Sequence, residues 1–551
     1  MPKVEMSPPW LSQHPEHLHD VGDGTPYMSL KDSEEKTSDD ISFDDVASYT
    51  EAIPPRGGVR MAWRRRLKHC LGHIHLGSFH FLLPSFFQKG TGRTKRLHSS
   101  AWLDGLRGIA AFFVVLHHSS LLWFSWNIHG GWNVSSDQTA WILRLPIIRL
   151  IISGPAQVRI FFVVSGYAIS YKPLKLARQG RFAEVGSALS SSVFRRHSRL
   201  FMPAAVVTLW SVIMTQLDPN WFGSDGFPGA AVPVRVPPHG RNLMEQLWHF
   251  RDVEIQATNP IYQGLAQGSD SRVFNNPYDA NLWTLPMEFS SSMVIFMFLT
   301  AFTRVRNRVR MFFNLAIIVY FHYYFIYWAL FPFLCGMLIC DLHLELEEIR
   351  AKSNEEFDPN EAVALPTWAR VQRRFGSKLI AKTRRLFSGF SGRIIGSLAF
   401  FASLWLLSTP DSWLGAQDSW GYMTLTSWIP DNFQDQLLMP CGAVMLVLVV
   451  DLFPFLQVLF TNPFSQYMGR ISYALYLIHG PLLWSLALKF THYMLNITGS
   501  GTPEQYIWAV LVAACLWWII AIYFSDILAR LVDEKCVRFG KWAYEKLLKD
   551  E

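Results

Sequence analysis

The chain has 551 residues, 50% of them hydrophobic and only 17% charged, whereas soluble domains average about 25% charged residues. Together with several long apolar segments, this composition indicates a polytopic membrane protein. The formal net charge of +7 does not point to nucleic acid, because the basic residues cluster beside apolar segments, as expected of cytosolic loops. The six cysteines are scattered and show no spacing typical of a zinc site or a disulfide framework.

Residues 1–99 are predicted to form a cytosolic region without a membrane span. The sequence is polar up to about residue 55, with an acidic run, and this part is predicted to be disordered. Residues 56–99 are basic and contain a short apolar stretch, which favours an interfacial segment on the cytosolic membrane face. An apolar signal-peptide core is absent from the first 60 residues.

The segment from Trp102 to Phe124 is almost wholly apolar and long enough to cross a bilayer as a helix. It nevertheless contains Arg107, His117 and His118, and a cation in such a segment costs on the order of 3 kcal/mol or more. Arg107 and His118 are about three helical turns apart, so they share a face with a rise of about 16 Å between them. His117 points about 100° away from His118. The spacing favours a ligand-binding arginine at the membrane edge and a histidine base deeper inside.

A second span is predicted over residues 155–169, where Ser165 and the glycine after it favour close helix packing over a serine nucleophile. Arg196 and Arg199 precede a third span, over residues 204–217. Arginines at such a boundary are typical of membrane topology, and they are equally suited to bidentate binding of phosphate groups. Both interpretations stay open at this point.

The largest loop on the far side, residues 218–281, is a candidate lid or acceptor platform. The fourth span then opens with Glu288 in apolar sequence, and a buried carboxylate must be paired or protonated. Residues 311–339 are long enough for two short spans. The charged residues 343–392 predict a cytosolic loop.

Further spans are predicted over residues 393–408, about 436–460 and 506–528. Between the last two lies GRISYALYLIHGPLLW, which contains Tyr473 and His479. Residues 531–551 are predicted to form a cytosolic amphipathic tail that is rich in basic residues.

The resulting prediction is an all-α transmembrane helical bundle of about ten spans, with both termini in the cytosol. The basic segments fall on one side of the membrane in this arrangement. The glycosylation sequons at Asn133 and Asn496 fall on the other side, which agrees with the assignment and predicts a glycoprotein.

Five sequence motifs resemble, in their order along the chain, those of the acyltransferase-3 family of integral membrane acyltransferases. They are LDGLRGIAAFFVVLHH, FFVVSGY, the arginine run before the third span, LWTLPMEF and SYALYLIH. The resemblance covers about residues 100–530 and marks them as a membrane acyltransferase domain. Three positions depart from the family pattern: His117 replaces an aromatic residue, Arg159 an acidic residue and Thr284 a serine.

The resemblance implies transfer of an acyl group from acyl-coenzyme A to a hydroxyl of a small molecule, lipid or glycan. Acyl-coenzyme A would be a co-substrate, with no tightly bound cofactor and no metal. An alcohol is a poor nucleophile at neutral pH, so His118 is expected as the base, with Arg107 orienting the donor. Glu288 is expected to orient a histidine or a donor group. The residues expected to bind substrate are Arg196, Arg199, Ser165, Tyr473 and His479.

Two other functional classes are compatible with a polytopic protein. A transporter or permease would use the same intramembrane charges as a substrate path. A membrane scaffold would not need His118. The pairing of Arg107 with His118 argues against the scaffold, and the five motifs argue against the transporter. The enzyme is expected in an endomembrane or the plasma membrane, with the donor, the acceptor and the bilayer as its partners and no nucleic acid.

Overall fold

The computed structural model describes residues 83–85, 97–132, 141–223, 226–227, 231, 236–259, 275–325, 328–354 and 389–548. These residues are 81% helical and include no strand, which confirms the predicted all-α class. Helices of eight or more residues are α1 Ala101–Trp123, α2 Gly154–Arg178, α3 Phe182–Leu217, α4 Leu243–Ala257, α5 Thr284–Phe302, α6 Asn307–Phe325, α7 Leu330–Asn354, α8 Phe390–Leu407, α9 Asp431–Leu452, α10 Pro454–Thr461, α11 Pro463–Leu482, α12 Leu488–Thr498, α13 Pro503–Leu528 and α14 Glu534–Leu547.

Among the described residues, six helical segments are long and apolar enough to cross a membrane, and the bent pair α9–α10 makes a possible seventh. The expected count of about ten is not confirmed. The difference lies mainly in α2, α6 and α7, which are long enough but carry polar and charged side chains. Gln157 and Arg159 near the start of α2, and Asp341 in α7, lower the hydropathy of these helices.

Buried ion pairs explain how charged helices fit into an apolar bundle. The carboxylate of Asp341 in α7 accepts from Arg178 of α2 at 2.6 Å and from Arg310 of α6 at 2.7 Å. All three side chains are almost fully buried. A buried charge needs such partners, because an unpaired one would be strongly destabilising. The network therefore fixes α2, α6 and α7 against one another.

Two predicted boundaries move in the structure. Residues 204–217 are only the second half of α3, so the arginines expected before a span lie inside one continuous 36-residue helix. Residues 343–354, expected in a loop, continue α7, and residues 355–388 lie outside the described part of the chain. Because α3 is continuous through its arginines, helical periodicity sets the direction in which each of these side chains points.

Helix α1 packs along α11, and the two helices run in the same direction. Near the start of α1, the Nε of Arg107 donates to Ser472 Oγ at 3.1 Å. At its end, the indole nitrogen of Trp123 donates to Thr491 in α12. The first motif therefore lies beside the last motif and the helical segment that follows it.

The predicted C-terminal tail forms α14, which packs against the first half of α3. The ring of Tyr544 lies 5.5 Å from that of Phe194, and Gly540 contacts the side chain of Ser198. The helix thus covers the part of α3 that carries the arginines.

Candidate active site

A cavity of about 190 Å³ lies between α1, α2, α3, α5, α11 and α14. It brings together residues that are far apart in the sequence, from both the first and the last motif. Six of the eight predicted site residues line it: Arg107, Ser165, Arg196, Arg199, Glu288 and Tyr473. We call it the arginine cavity.

The described wall of the arginine cavity is strongly basic. Against six cationic side chains it has only Glu288 and Asp533, a formal excess of four positive charges. Such a cavity attracts polyanions, and guanidinium groups bind phosphate in bidentate fashion. The cationic residues are Arg107, Lys172, Arg195, Arg196, Arg199 and Arg470.

Glu288 holds one of these arginines in place. Its Oε1 accepts from Arg196 Nη2 at 2.9 Å and from Ser165 Oγ at 3.3 Å. The Nε of Arg196 donates to Ser292 at 3.0 Å. The carboxylate of Glu288 is therefore paired, as expected of a carboxylate in apolar sequence. In this structure it orients an arginine, Arg196.

Ser165 also lies where two helices approach closely. A side chain on the adjacent Gly166 would collide with the backbone of Phe333 in α7. The close packing predicted for this small pair is present, and the serine hydroxyl serves the network around Glu288.

Arg107 is fixed at the cavity wall by α1 and α11. Besides its bond to Ser472, its Nη2 donates to the carbonyl of Gly469 at 3.2 Å and lies 3.2 Å from the carboxylate of Asp104. Its side chain is 28% exposed. Tyr473 on the same stretch of α11 donates its hydroxyl to the carbonyl of Leu200 in α3.

His118 and His479 do not line the arginine cavity; they face each other deeper in the bundle. Their ring centroids are 5.2 Å apart. His118 is half-buried, and His479 is fully buried. The Nδ1 of His479 lies 2.7 Å from the carbonyl of Tyr476, which can only accept, so Nδ1 carries the proton of the neutral ring. Its Nε2 is then a lone-pair acceptor, with no hydrogen-bond partner among the described residues.

His117 turns to the other side of α1 and has a different environment. Its Nδ1 bonds to the carbonyl of Ile152 at 2.7 Å, and its ring lies 5.0 Å from that of His129. Burial lowers the pKa of His129 to about 3, with smaller contributions from His117 and Arg149, so this ring is neutral. The contacts of His117 are those of a packed side chain.

The sequence did not reveal every residue of the site. Asp533 and Gly540 line the arginine cavity from the predicted tail, and no local pattern marks them. Arg470 lies two residues before Ser472 in the last motif and could have been found from that position. Arg159, which departs from the family pattern, stacks on Trp328 at 4.6 Å outside the cavity.

Comparisons with known proteins agree with the geometry. A family model described as an acyltransferase domain, Acyl_transf_3, matches residues 100–523. The O-acetyltransferase PaAT-1 of Phomopsis amygdali is 48% identical over 481 residues, which cover 87% of this chain and 90% of the relative. No solved structure matches the chain.

Proposed function

The chain belongs to the acyltransferase-3 family and is an acyltransferase, and from that premise we propose that it transfers an acyl group from acyl-coenzyme A to a hydroxyl group. The relative's name, O-acetyltransferase, supports O-acylation and makes acetyl the first acyl group to test. The acceptor is a small molecule, a lipid or a glycan. Acyl-coenzyme A acts as a co-substrate.

The observation that carries the choice of donor is the charge of the arginine cavity. Coenzyme A bears several phosphate charges, and the described wall offers an excess of four positive charges. Arg196 is preorganised by Glu288, so its planar guanidinium is already oriented before a phosphate arrives. Arg199 and Arg107 complete the phosphate-binding side of the cavity.

In this proposal His118 is the base. A neutral imidazole can accept the proton of an alcohol as the alcohol attacks the thioester carbonyl. The new C–O bond forms, the C–S bond breaks, and the proton passes from His118 to the leaving thiolate, which gives free coenzyme A. The ring of His479 lies 5.2 Å from that of His118, centroid to centroid, and its Nε2 would orient His118 by accepting an N–H from it.

The distance between the two parts suits such a donor. Arg107 and His118 are separated by a rise of about 16 Å along α1. The phosphates of acyl-coenzyme A and its thioester lie at opposite ends of a long flexible arm. The face of α1 between the two residues carries the small side chains of Ala111 and Val114, both buried in this structure, and the arm would have to pass beside them.

We also propose a membrane orientation. The arginine cavity lies near the start of α1 and would face the cytosol, with both termini. Asn496 is exposed in the last turn of α12, at the end of the bundle where α1 finishes, and would face the lumen or exterior. Asn133 lies outside the described residues. Glycosidase treatment should shift the electrophoretic mobility of the wild type more than that of Asn496→Gln, which keeps the Asn133 sequon, and equal shifts of the two would contradict this orientation.

The direct test of function uses purified protein in lipid nanodiscs with labelled acetyl-coenzyme A. Release of free coenzyme A and movement of label to water or to an added alcohol are expected. His118→Ala should lower the release by on the order of 10²-fold or more, as loss of a general base predicts. Intact donor in the presence of protein, combined with uptake of a solute into proteoliposomes, would favour a transporter instead.

A further inference from the structure

A second cavity, of about 430 Å³, lies toward the opposite end of α11 and differs in chemistry from the first. Its described wall contains aromatic, proline and amide side chains and one carboxylate, with no lysine or arginine. The residues on which the argument depends are Phe222, Asn276, Tyr278, Asp279, Ala280 and Trp484.

The order of residues along α11 and the π-helical turn Leu483–Ala487 that continues it relates the two cavities. Tyr473 lines the arginine cavity, His479 faces His118, and Trp484 lines the second cavity. At 1.5 Å per residue, His479 lies about 9 Å beyond Tyr473 and about 8 Å before Trp484. The histidine pair is therefore between the cavities.

The wall of the second cavity also rests directly on the segment of α11 that carries His479. Tyr476 donates its hydroxyl to the carbonyl of Asn281 at 2.5 Å. A side chain on Gly480 would collide with the side chains of Asp279 and Asn281. The glycine after His479 thus allows the residues of this wall to approach the helix.

The polar groups of this wall are held in fixed positions. The Tyr278 hydroxyl bonds to His249 Nδ1 at 2.7 Å and accepts from Gln246 at 3.0 Å. Asn276 accepts from the backbone N–H of Tyr278 at 2.9 Å. Asn276 and Asp279 are 3% and 4% exposed. Such a preorganised wall loses little entropy when a ligand binds.

We propose that the second cavity binds the acceptor, and that the acceptor is an uncharged alcohol with an apolar ring face and more than one hydroxyl. The aromatic side chains would cover the ring, and the carboxylate and amide oxygens would accept from hydroxyls. The described wall offers one carboxylate and no lysine or arginine, which disfavours an anionic acceptor. The inference rests on the proposed function, since it assigns the second substrate of the same transfer.

The test fills the cavity without touching the histidines. Ala280→Phe adds an aromatic ring at the cavity wall, and Ala402→Phe adds the same ring at an exposed position of α8 as a matched control. Purified variants receive labelled acetyl-coenzyme A with one of three probes: cyclohexane-1,4-diol, methyl β-glucopyranoside or glycerol 3-phosphate. Free coenzyme A released without any alcohol reports the donor half-reaction separately.

We expect Ala280→Phe to transfer label to the two neutral probes at least tenfold more slowly than the wild type. Ala402→Phe should behave as the wild type. Unchanged transfer in Ala280→Phe, preference for glycerol 3-phosphate, or transfer to none of the probes by a protein that releases coenzyme A would each overturn the assignment. Absence of any release by the wild type would instead refute the proposed function.

A second variant keeps the test decisive if Ala280→Phe fails to insert. Trp484→Ala removes the stacking surface instead of filling the space, and should raise the KM for the neutral probes about tenfold with an unchanged KM for acetyl-coenzyme A. Trp508→Ala, at a 64% exposed position of α13, is its control. A KM for the probes that is unchanged in Trp484→Ala would contradict the proposal.

Discussion

Substitution of the two adjacent histidines of α1 should separate catalysis from stability. His118→Ala removes the proposed base from a half-buried position and leaves the hydrogen bond of His117 to the carbonyl of Ile152 in place. We expect a loss of 10²- to 10⁴-fold in specific activity, equivalent to about 3–5 kcal/mol of transition-state stabilisation. The melting temperature should change little, because no buried core residue is removed.

His117→Phe should give the opposite result. It deletes the 2.7 Å hydrogen bond to the carbonyl of Ile152 and adds volume in a buried site, which costs about 1–3 kcal/mol of folding stability. The activity per folded molecule should remain within a few-fold of the wild type. His117→Gln, which can still donate to Ile152, is expected to recover part of the stability.

The assay measures coenzyme A release per inserted molecule together with thermal unfolding, on all three variants and the wild type. A large activity loss in His117→Phe with a mild one in His118→Ala would assign the base to His117. Equal and mild losses in both variants would show that neither histidine is the base.

Three further predictions concern charged groups. Arg107→Lys should raise the KM for acetyl-coenzyme A, because lysine keeps the charge but lacks the planar fork; an unchanged KM would remove Arg107 from the donor site. Glu288→Gln should raise the same KM about tenfold by releasing Arg196, with a smaller effect on turnover, and an unaltered KM would contradict the positioning role. Burial opposes protonation of His343, but hydrogen bonds to Asp451 and to a glutamate outweigh it and raise the pKa to about 9. The contribution of protonated His343 to folding stability is therefore complete below about pH 6.5 and is lost as the pH rises through 9. Between pH 6 and pH 9.5 the melting temperature of the wild type should fall further than that of His343→Gln.

The sequence predicted the helical class and six residues of the cavity wall, because both depend on local patterns. Apolar segments indicate helices, and the five motifs singled out Arg107, Glu288 and Tyr473 as expected site residues. These three residues come from different parts of the chain, yet the structure brings them to one cavity. The separation of His117 from His118 also followed from helical periodicity alone, and their environments in the structure differ accordingly.

Other features could not be predicted, because they depend on contacts between distant segments. The sequence places the arginines before the predicted span, because basic residues interrupt the apolar pattern there. In the structure, α3 continues through them without a break. The contribution of α14 to the cavity depends on its packing against α3, and an amphipathic pattern does not say which surface it will cover. The predicted count of about ten spans is not confirmed among the described residues, where buried ion pairs such as Arg178–Asp341 place charged helices among apolar ones.

If His118 is the base and acyl-coenzyme A the donor, as we propose, the separation of the arginine cavity from the histidine pair has an electrostatic reason. A base that accepts a proton becomes a cation, and each nearby guanidinium opposes that step. At an effective dielectric constant of 20, two unit charges repel by about 4 kcal/mol at 4 Å but only by about 1 kcal/mol at about 16 Å. Wherever the donor phosphates do not fully offset the six cationic side chains of the described wall, a base beside them would accept a proton less readily. A long donor arm removes this conflict, since it lets the charges that hold the donor act far from the atom that reacts. His479 is fully buried, and its Nδ1 proton is used by the carbonyl of Tyr476, so a neutral His479 adds no positive charge beside the proposed base.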